Sequence, residues 1–103
     1  MKYNNYYDVF LFYSKQYKYS LEYILEKVSK ATKISVEALK TKSHKRENTE
    51  ARQAYFLLAM KLTSKSLTEI GAIIPRDHAT VLHAKKNAHL PKIKKIIKDT
   101  NLL

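Results

Sequence analysis

The chain lacks cysteine altogether, and its 103 residues include a single glycine, two prolines and no tryptophan. Without cysteine it can form neither a disulfide framework nor a thiolate metal site, which fits a reducing cytosol. One glycine excludes the glycine-rich loops that cradle nucleotide phosphates, because such loops need several glycines for close backbone approach. No uninterrupted apolar stretch nears the length of a membrane span, and the amino terminus lacks the apolar core of a signal peptide. We therefore expect a cytoplasmic protein with no cofactor, nucleotide or membrane partner.

Acidic residues are also scarce. The chain has 9 Asp and Glu but 20 Lys and Arg, which gives a net charge of +11. Such a balance favours a polyanionic partner, because each phosphate contact releases condensed counterions. Acidic substrates and lipid headgroups are the alternatives. The charge is concentrated at residues 40–46 and again at residues 85–98, although either cluster could be no more than a solvated surface.

The hydrophobic pattern has helical spacing almost throughout, and no alternating stretch is long enough to indicate a sheet. The fold is therefore predicted to be all-α. A capping residue or a proline marks each predicted helix start. In chain order these starts are Asn5, Ser20, Ser35, Asn48 or Thr49, Ser66, Asp77 and Pro91.

Residues 66–84 have the pattern of two short helices separated by a tight turn. Ser66 and Glu69 have the spacing of a capping box at the start of the first helix. Gly71 falls where two helices must approach closely, and Pro75 cannot continue a helix because it lacks an amide hydrogen. Asp77 then suits the N-cap of the second helix. This arrangement predicts a helix-turn-helix.

The second of these helices has one packing face and one outward face. Val81, Ala84 and Ala88 share the inner face, whereas Ala79, His83 and Lys86 share the outer one. Small and polar groups at the helix start can enter a DNA major groove, where base edges present distinct donors, acceptors and methyl groups. The first turn, residues 77–80, is therefore predicted to read DNA.

The sequence RDHATVLHA at residues 76–84, with SLTEIG at residues 66–71, resembles the signature of domain IV of the bacterial replication initiator DnaA. The resemblance covers roughly residues 21–90. It implies an all-α helical bundle with a Trp-repressor-like helix-turn-helix at about residues 66–88. The helical spacing of the apolar residues after Asn5 predicts an extra N-terminal helix before this bundle. Residues 1–19 are then a tyrosine-rich extension and residues 20–103 the DNA-binding domain. The AAA+ ATPase of full-length DnaA proteins is not present in this chain, which suggests a stand-alone relative.

The resemblance also implies a role for individual residues. Base-reading roles fall on Asp77, His78, Ala79, Thr80 and Thr68; the minor-groove segment is His44, Lys45 and Arg46; phosphate contacts fall on Lys42, Arg52, Gln53, Lys61, Arg76, His83 and Lys86. The chemistry agrees for the helix start, since a carboxylate can accept from cytosine and an imidazole can donate to or accept from a base edge.

The chain departs from the family pattern at the turn and in the basic loop. The turn before Arg76 is one residue shorter and has Ile74-Pro75 in place of a Gly-Gly pair, which could alter the target preference. His44 stands where many members have an arginine that enters the minor groove, and a neutral imidazole attracts a narrow A·T tract less strongly.

Plainer interpretations exist for several of these residues. Asp77 could serve only as a helix cap, and the tyrosines of residues 1–19 could pack on the body of the domain rather than form a protein-binding surface. His78 and His83 diverge around a helix, and no paired acid–base or nucleophile set occurs, so neither a metal site nor an enzyme is predicted.

The predicted function is specific binding of double-stranded DNA at sites like DnaA boxes, as a monomer per site, in replication or transcription control. The alternative is a protein-interaction or nonspecific nucleic-acid-binding module that uses the basic surface and residues 1–19.

Overall fold

Residues 19–103 are described by a computed structural model, and this part of the chain contains six α-helices and no β-strand. The α-helices are α1 (Leu21–Thr32), α2 (Val36–Leu39), α3 (Arg46–Leu62), α4 (Leu67–Ala72), α5 (His78–His83) and α6 (Pro91–Thr100), with a 3-10 helix at Ala84–Asn87 before the last. The all-α prediction is confirmed. The helix predicted to follow Asn5 lies outside the described residues. Between residues 19 and 103, no helix has the length and apolar character needed to cross a membrane.

Helix α1 begins and ends at residues with clear capping geometry. The Ser20 hydroxyl accepts a 3.1 Å hydrogen bond from the Tyr23 amide, as expected of a serine N-cap. The helix ends at Thr32, and the next residue, Lys33, is the C-cap, with a φ of 62° in the left-handed conformation. Its apolar face is buried and consists of Leu21, Ile24, Leu25 and Val28.

Helix α3 begins at Arg46, two or three residues earlier than the predicted start at Asn48 or Thr49. Its first backbone hydrogen bond joins the Thr49 amide to the Lys45 carbonyl at 3.0 Å, and Lys45 occupies the N-cap without a side-chain capping bond. Asn48 is only 8% exposed, so this side chain lies on the inner face of the helix rather than at its end. The predicted start was wrong because Asn48 and Thr49 both lie inside the helix, and the core buries Asn48.

The same helix is the central element of the domain, since α1, α6 and α4 all pack against it. Its buried side chains include Ala51, Ala54, Tyr55, Phe56, Leu58 and Ala59. These side chains form a continuous core face, although Leu62 at the end of the helix is only half-buried. Burying these apolar surfaces supplies most of the free energy that holds the short helices in place.

Helix α6 packs against both α3 and α1. Pro91 is its first residue, as predicted, where the missing amide hydrogen costs no hydrogen bond. Ile93 is fully buried, whereas Ile96 and Ile97 are half-buried at the edge of the core. The C-terminal cap is Asn101 in the left-handed conformation, and Leu102 folds back onto the core cluster.

Candidate nucleic-acid interface

Helices α4 and α5, joined by residues 73–77, form the predicted helix-turn-helix. The capping box at its start is complete: the Glu69 amide donates to Ser66 Oγ at 3.1 Å, and the Ser66 amide donates to Glu69 Oε1 at 3.0 Å. The bond from the Ser66 amide stabilises the carboxylate and lowers the pKa of Glu69. The entry into α4 is therefore fixed by its own side chains.

Gly71 is the point of closest approach within the helix-turn-helix. A Cβ atom at this position would lie 2.3 Å from the Arg76 carbonyl oxygen and 3.0 Å from Val81 Cγ2. The Arg76 amide in turn donates a 2.9 Å hydrogen bond to the Gly71 carbonyl. The close approach predicted from the chain's single glycine is confirmed, and it brings the start of α5 directly against α4.

Asp77 caps helix α5, as predicted. Its Oδ1 atom accepts hydrogen bonds from the Thr80 amide at 2.9 Å and from the Thr80 hydroxyl at 2.8 Å. These bonds, led by the backbone one, lower the pKa of the Asp77 carboxyl, so the group is ionised at neutral pH. Both bonds fall on one oxygen, and within residues 19–103 no donor is bonded to the other. The cap thus leaves an acceptor for an outside partner.

The faces of helix α5 divide as the sequence predicts. Val81 and Ala84 are fully buried, whereas the predicted outer residues Ala79, His83 and Lys86 are all exposed. Leu82 is also exposed, at 45%. The α-helix itself is shorter than the predicted packing face, because it ends at His83 and continues as the 3-10 helix Ala84–Asn87, which leaves Ala88 half-buried. The whole first turn, including His78, remains on the surface.

A positively charged surface is formed by residues 42–46, called here the basic loop. Lys42, His44 and Lys45 are exposed, and so is Arg46 at the first position of α3. Two local bonds of 3.3 Å support the loop: the Ser43 amide donates to Thr41 Oγ1, and the Lys45 amide donates to Ser43 Oγ. Its cationic side chains therefore project from an ordered backbone.

Arg52 lies inside this part of the molecule rather than on its surface. It is only 5% exposed, and its guanidinium donates to the carbonyls of Leu39 at 2.8 Å, Ser43 at 2.8 Å and Thr41 at 2.9 Å. A fourth, longer bond reaches the Ala38 carbonyl at 3.5 Å. Burial, with a smaller effect of the nearby Arg76 charge, lowers the pKa of Arg52.

The sequence interpretation assigned Arg52 to a phosphate and missed this role, which holds the backbone before and within the basic loop. A signal was present, because Arg52 shares a helical stripe with the buried Asn48 and Phe56, four residues away on either side. The phosphate contact of Arg52 stays a prediction.

Arg76 also binds backbone carbonyls. Its Nη1 atom donates to the carbonyls of Ile74 at 3.0 Å and Pro75 at 3.1 Å, and its Nη2 atom donates to the Thr41 carbonyl at 2.7 Å. The last bond joins residues 35 apart in the sequence. It brings the basic loop and the start of α5, which the sequence interpretation assigned to adjacent grooves, to one side of the domain.

The other residues with assigned roles are spread over the surface of the helices. Thr68 on α4 and Lys61 near the end of α3 are exposed, and Gln53 on α3 is half-buried. Within residues 19–103 no group of three or more His, Asp or Glu side chains could hold a metal ion.

A helix-turn-helix whose second helix presents a capped, exposed first turn beside a basic loop is the architecture of a DNA-recognition domain. The chain belongs to the bacterial DnaA protein helix-turn-helix family, whose model matches residues 21–87. No solved structure matches the chain.

Three relatives illustrate the similarity, and all are named chromosomal replication initiator protein DnaA. The Flavobacterium psychrophilum protein is 39% identical over 88 residues, which covers 80% of this chain and 18% of the relative. The Bacteroides thetaiotaomicron protein is 44% identical over 68 residues, covering 65% and 14% of the two chains. The Porphyromonas gingivalis protein is 40% identical over 65 residues, covering 62% and 14%. The aligned region thus spans less than a fifth of these relatives.

Proposed function

We propose that this protein binds double-stranded DNA sequence-specifically at sites like DnaA boxes, with residues 77–80 in the major groove and the basic loop at the adjacent minor groove. The observation that carries the proposal is the first turn of α5, which is exposed along its whole length while Val81 and Ala84 anchor the helix from behind. A helix held in this way can enter a groove without rearranging the core.

The side chains of that turn suit the task of reading bases. Asp77 keeps a carboxylate oxygen for a cytosine amino group even while it caps the helix, and His78 offers an imidazole to a base edge. Ala79 presents a methyl group that fits against a thymine methyl, and the exposed Thr68 lies on the neighbouring helix α4. The Thr80 hydroxyl donates to Asp77. Thr80 therefore contributes to DNA binding partly by holding the Asp77 carboxylate in position.

Positive charge around this turn supports binding to the DNA backbone. The exposed cationic side chains of the basic loop lie on one flank, and Lys61, His83 and Lys86 add exposed basic groups on α3, on α5 and in the 3-10 helix. Contacts of this kind raise affinity and fix orientation but carry no sequence information themselves. Specificity is therefore assigned to residues 77–80 and positioning to the basic groups.

The names of the relatives point to a process. Since they are chromosomal replication initiators, we infer that this protein acts in the initiation or regulation of DNA replication, or at promoters that contain similar sites. It occupies each site as a monomer, has no enzymatic activity of its own in this domain, and works in the cytoplasm at the nucleoid.

A salt titration with two duplexes tests the proposal. One duplex carries a DnaA box and the other a scrambled box of equal length and composition. Specific binding predicts that the preference for the box persists as salt rises, because counterion release weakens both duplexes alike while base contacts remain. Equal affinity for the two duplexes at every salt concentration would overturn the proposal.

A protein-interaction role for the amino-terminal part is the second candidate. The rings of Tyr19 and Tyr23 stack with centroids 5.4 Å apart and planes 9° from parallel, and Tyr23 is 43% exposed. Exposed aromatic side chains are common at protein interfaces. The test uses the Tyr23→Ala variant. If it binds the box duplex like the wild type but no longer captures a protein that the wild type captures, the result would favour this role in addition to DNA binding.

A further inference from the structure

The Thr41 carbonyl oxygen is a meeting point for two arginines. It accepts a hydrogen bond from Arg52 Nη2 at 2.9 Å and another from Arg76 Nη2 at 2.7 Å. One arginine comes from the buried face of α3, and the other from the residue before the N-cap of α5. A single backbone oxygen thus links the central helix, the basic loop and the recognition helix.

This convergence brings two positive charges together. Guanidinium groups stay protonated at any physiological pH, so their mutual repulsion opposes the arrangement. Charge-assisted hydrogen bonds offset that repulsion: Arg52 bonds several carbonyls around the loop, and Arg76 bonds Ile74 and Pro75 as well as Thr41. Two planar forks aimed at backbone oxygens fix geometry more firmly than flexible ammonium groups do.

The bond from Arg76 to the Thr41 carbonyl lies between the two surfaces proposed to contact DNA. Thr41 immediately precedes the basic loop, and Arg76 immediately precedes Asp77, the first residue of the reading turn. Within the described residues 19–103, the bond from Arg76 to the Thr41 carbonyl is the sole hydrogen bond between residues 40–46 and the helix-turn-helix. The two surfaces assigned to adjacent grooves are therefore connected directly through one side chain.

We propose that Arg76 is a positioning residue for DNA recognition, which clamps the Thr41 carbonyl and so holds the basic loop in register with the start of α5. This inference rests on the proposed function. The clamp sets the spacing between minor-groove and major-groove contacts before DNA arrives, so the loop need not be ordered during binding. Both sets of contacts then form together on a site whose core and A·T-rich flank have the correct separation.

A phosphate contact, the role that the family resemblance implies for Arg76, makes a different prediction. A residue that only attracts phosphate weakens all sequences alike when it is removed, and lysine replaces much of its effect. A clamp depends on the planar fork, because one ammonium group cannot reproduce the bonds that Nη1 and Nη2 make to Ile74, Pro75 and Thr41. Arg76→Lys therefore separates the two roles while keeping the charge.

The experiment compares the wild type with Arg76→Lys, Arg76→Gln and the control Lys61→Ala on four duplexes. These combine an intact or scrambled box core with an A·T-rich or G·C-rich flank. For Arg76→Lys and Arg76→Gln we expect the flank preference to fall about fivefold or more, while the core preference is largely kept. Lys61→Ala should weaken all four duplexes by one common factor, because Lys61 is exposed and assigned to phosphate.

Amide hydrogen exchange of the DNA-free proteins gives a second readout. Residues 41–45 should exchange faster in both Arg76 variants than in the wild type or in Lys61→Ala, since only Arg52 and the local bonds then hold the loop. Arg76 variants that keep the flank preference, or whose loop exchange is unchanged, overturn the inference. A wild-type protein that binds the intact and scrambled cores equally overturns the proposed function instead, so the two failures are distinguishable.

Discussion

The hydroxyl group of Tyr55 donates a 2.9 Å hydrogen bond to the carbonyl of Ile70, and both residues are fully buried. This bond connects the centre of α3 to α4, near the point where the α4 backbone turns and the Ile74 amide donates to Gly71. Burial, with a smaller effect of Glu22, raises the pKa of Tyr55, so the hydroxyl keeps its proton and remains a donor. The helix-turn-helix is thereby held to the core by a polar bond as well as by apolar packing.

Tyr55→Phe is expected to lower the free energy of unfolding by about 1–2 kcal/mol, because it leaves the Ile70 carbonyl without this donor in a buried place. Chemical denaturation monitored by circular dichroism measures the change. Tyr23→Phe is the control, since Tyr23 is substantially exposed, and it should shift stability by less than about 0.5 kcal/mol. Equal effects of the two substitutions would show that the buried bond contributes little.

Gly71→Ala is expected to destabilise the domain by about 1–3 kcal/mol or more, because the added methyl group overlaps the Arg76 carbonyl, a backbone atom that cannot rotate away. Displacement of α5 should also weaken box binding beyond the loss of stability. Thermal unfolding and duplex titration measure the two effects. Ala72→Ser, at an exposed position of the same helix, should be close to wild type in both; a tolerated Gly71→Ala would contradict the close approach.

Arg52 and Arg46 form a matched pair for separating structure from binding, since Arg52 is buried and Arg46 is exposed on the same helix. Arg52→Met should cost about 2–3 kcal/mol of stability, because the carbonyls of Leu39, Thr41 and Ser43 lose a common donor. Arg46→Met should change stability by less than about 0.5 kcal/mol and still weaken DNA binding. If Arg52→Met instead weakened DNA binding and left stability unchanged, Arg52 would contact phosphate, as predicted from the resemblance.

Acidification should loosen the helix-turn-helix through two capping carboxylates. The pKa of Asp77 and that of Glu69 are both lowered in the folded state by hydrogen bonds from backbone amides. Their stabilising contributions are therefore complete above the ordinary values of 3.8 and 4.5, and are lost as the pH falls through the lower folded values.

Asp77→Asn isolates one of these carboxylates, because asparagine still caps a helix but does not titrate. The difference in melting temperature between the wild type and Asp77→Asn should be constant near neutral pH and change only below about pH 4. Thermal melts over a series of pH values measure it. A difference that is independent of pH down to acid unfolding would contradict the role of the charged cap.

The parts of the fold that the sequence predicts well are those decided by local chemistry. Ser20, Ser66, Asp77 and Pro91 begin helices as expected, because a hydroxyl, a carboxylate or a proline ring acts on amides a few residues away. The start of α3 was misplaced because Asn48 could either cap the helix or face the core, and only tertiary packing decides between them. The same limit applies to Arg52. Its side chain is of a type that commonly binds phosphate, but it is buried in the core.

The Thr41–Arg76 contact shows a further limit of sequence interpretation. Its acceptor is a backbone oxygen, which is present at every residue and leaves no signature in the side chains, and its partners are 35 residues apart. The roles of the exposed residues, from His78 to the cations of the basic loop, depend in turn on a DNA partner. Their placement on one side of the domain supports those roles, and binding experiments decide them.

The most direct test of the account is selection of bound duplexes from a random pool, carried out in parallel with the wild type and with His78→Ala. The wild type should enrich a single asymmetric site similar to a DnaA box. His78→Ala should lose about 1–3 kcal/mol of affinity for that site and relax the preference at one or two adjacent base pairs. Enrichment of no sequence by the wild type, or an identical selected site with His78→Ala, would contradict base reading by the first turn of α5.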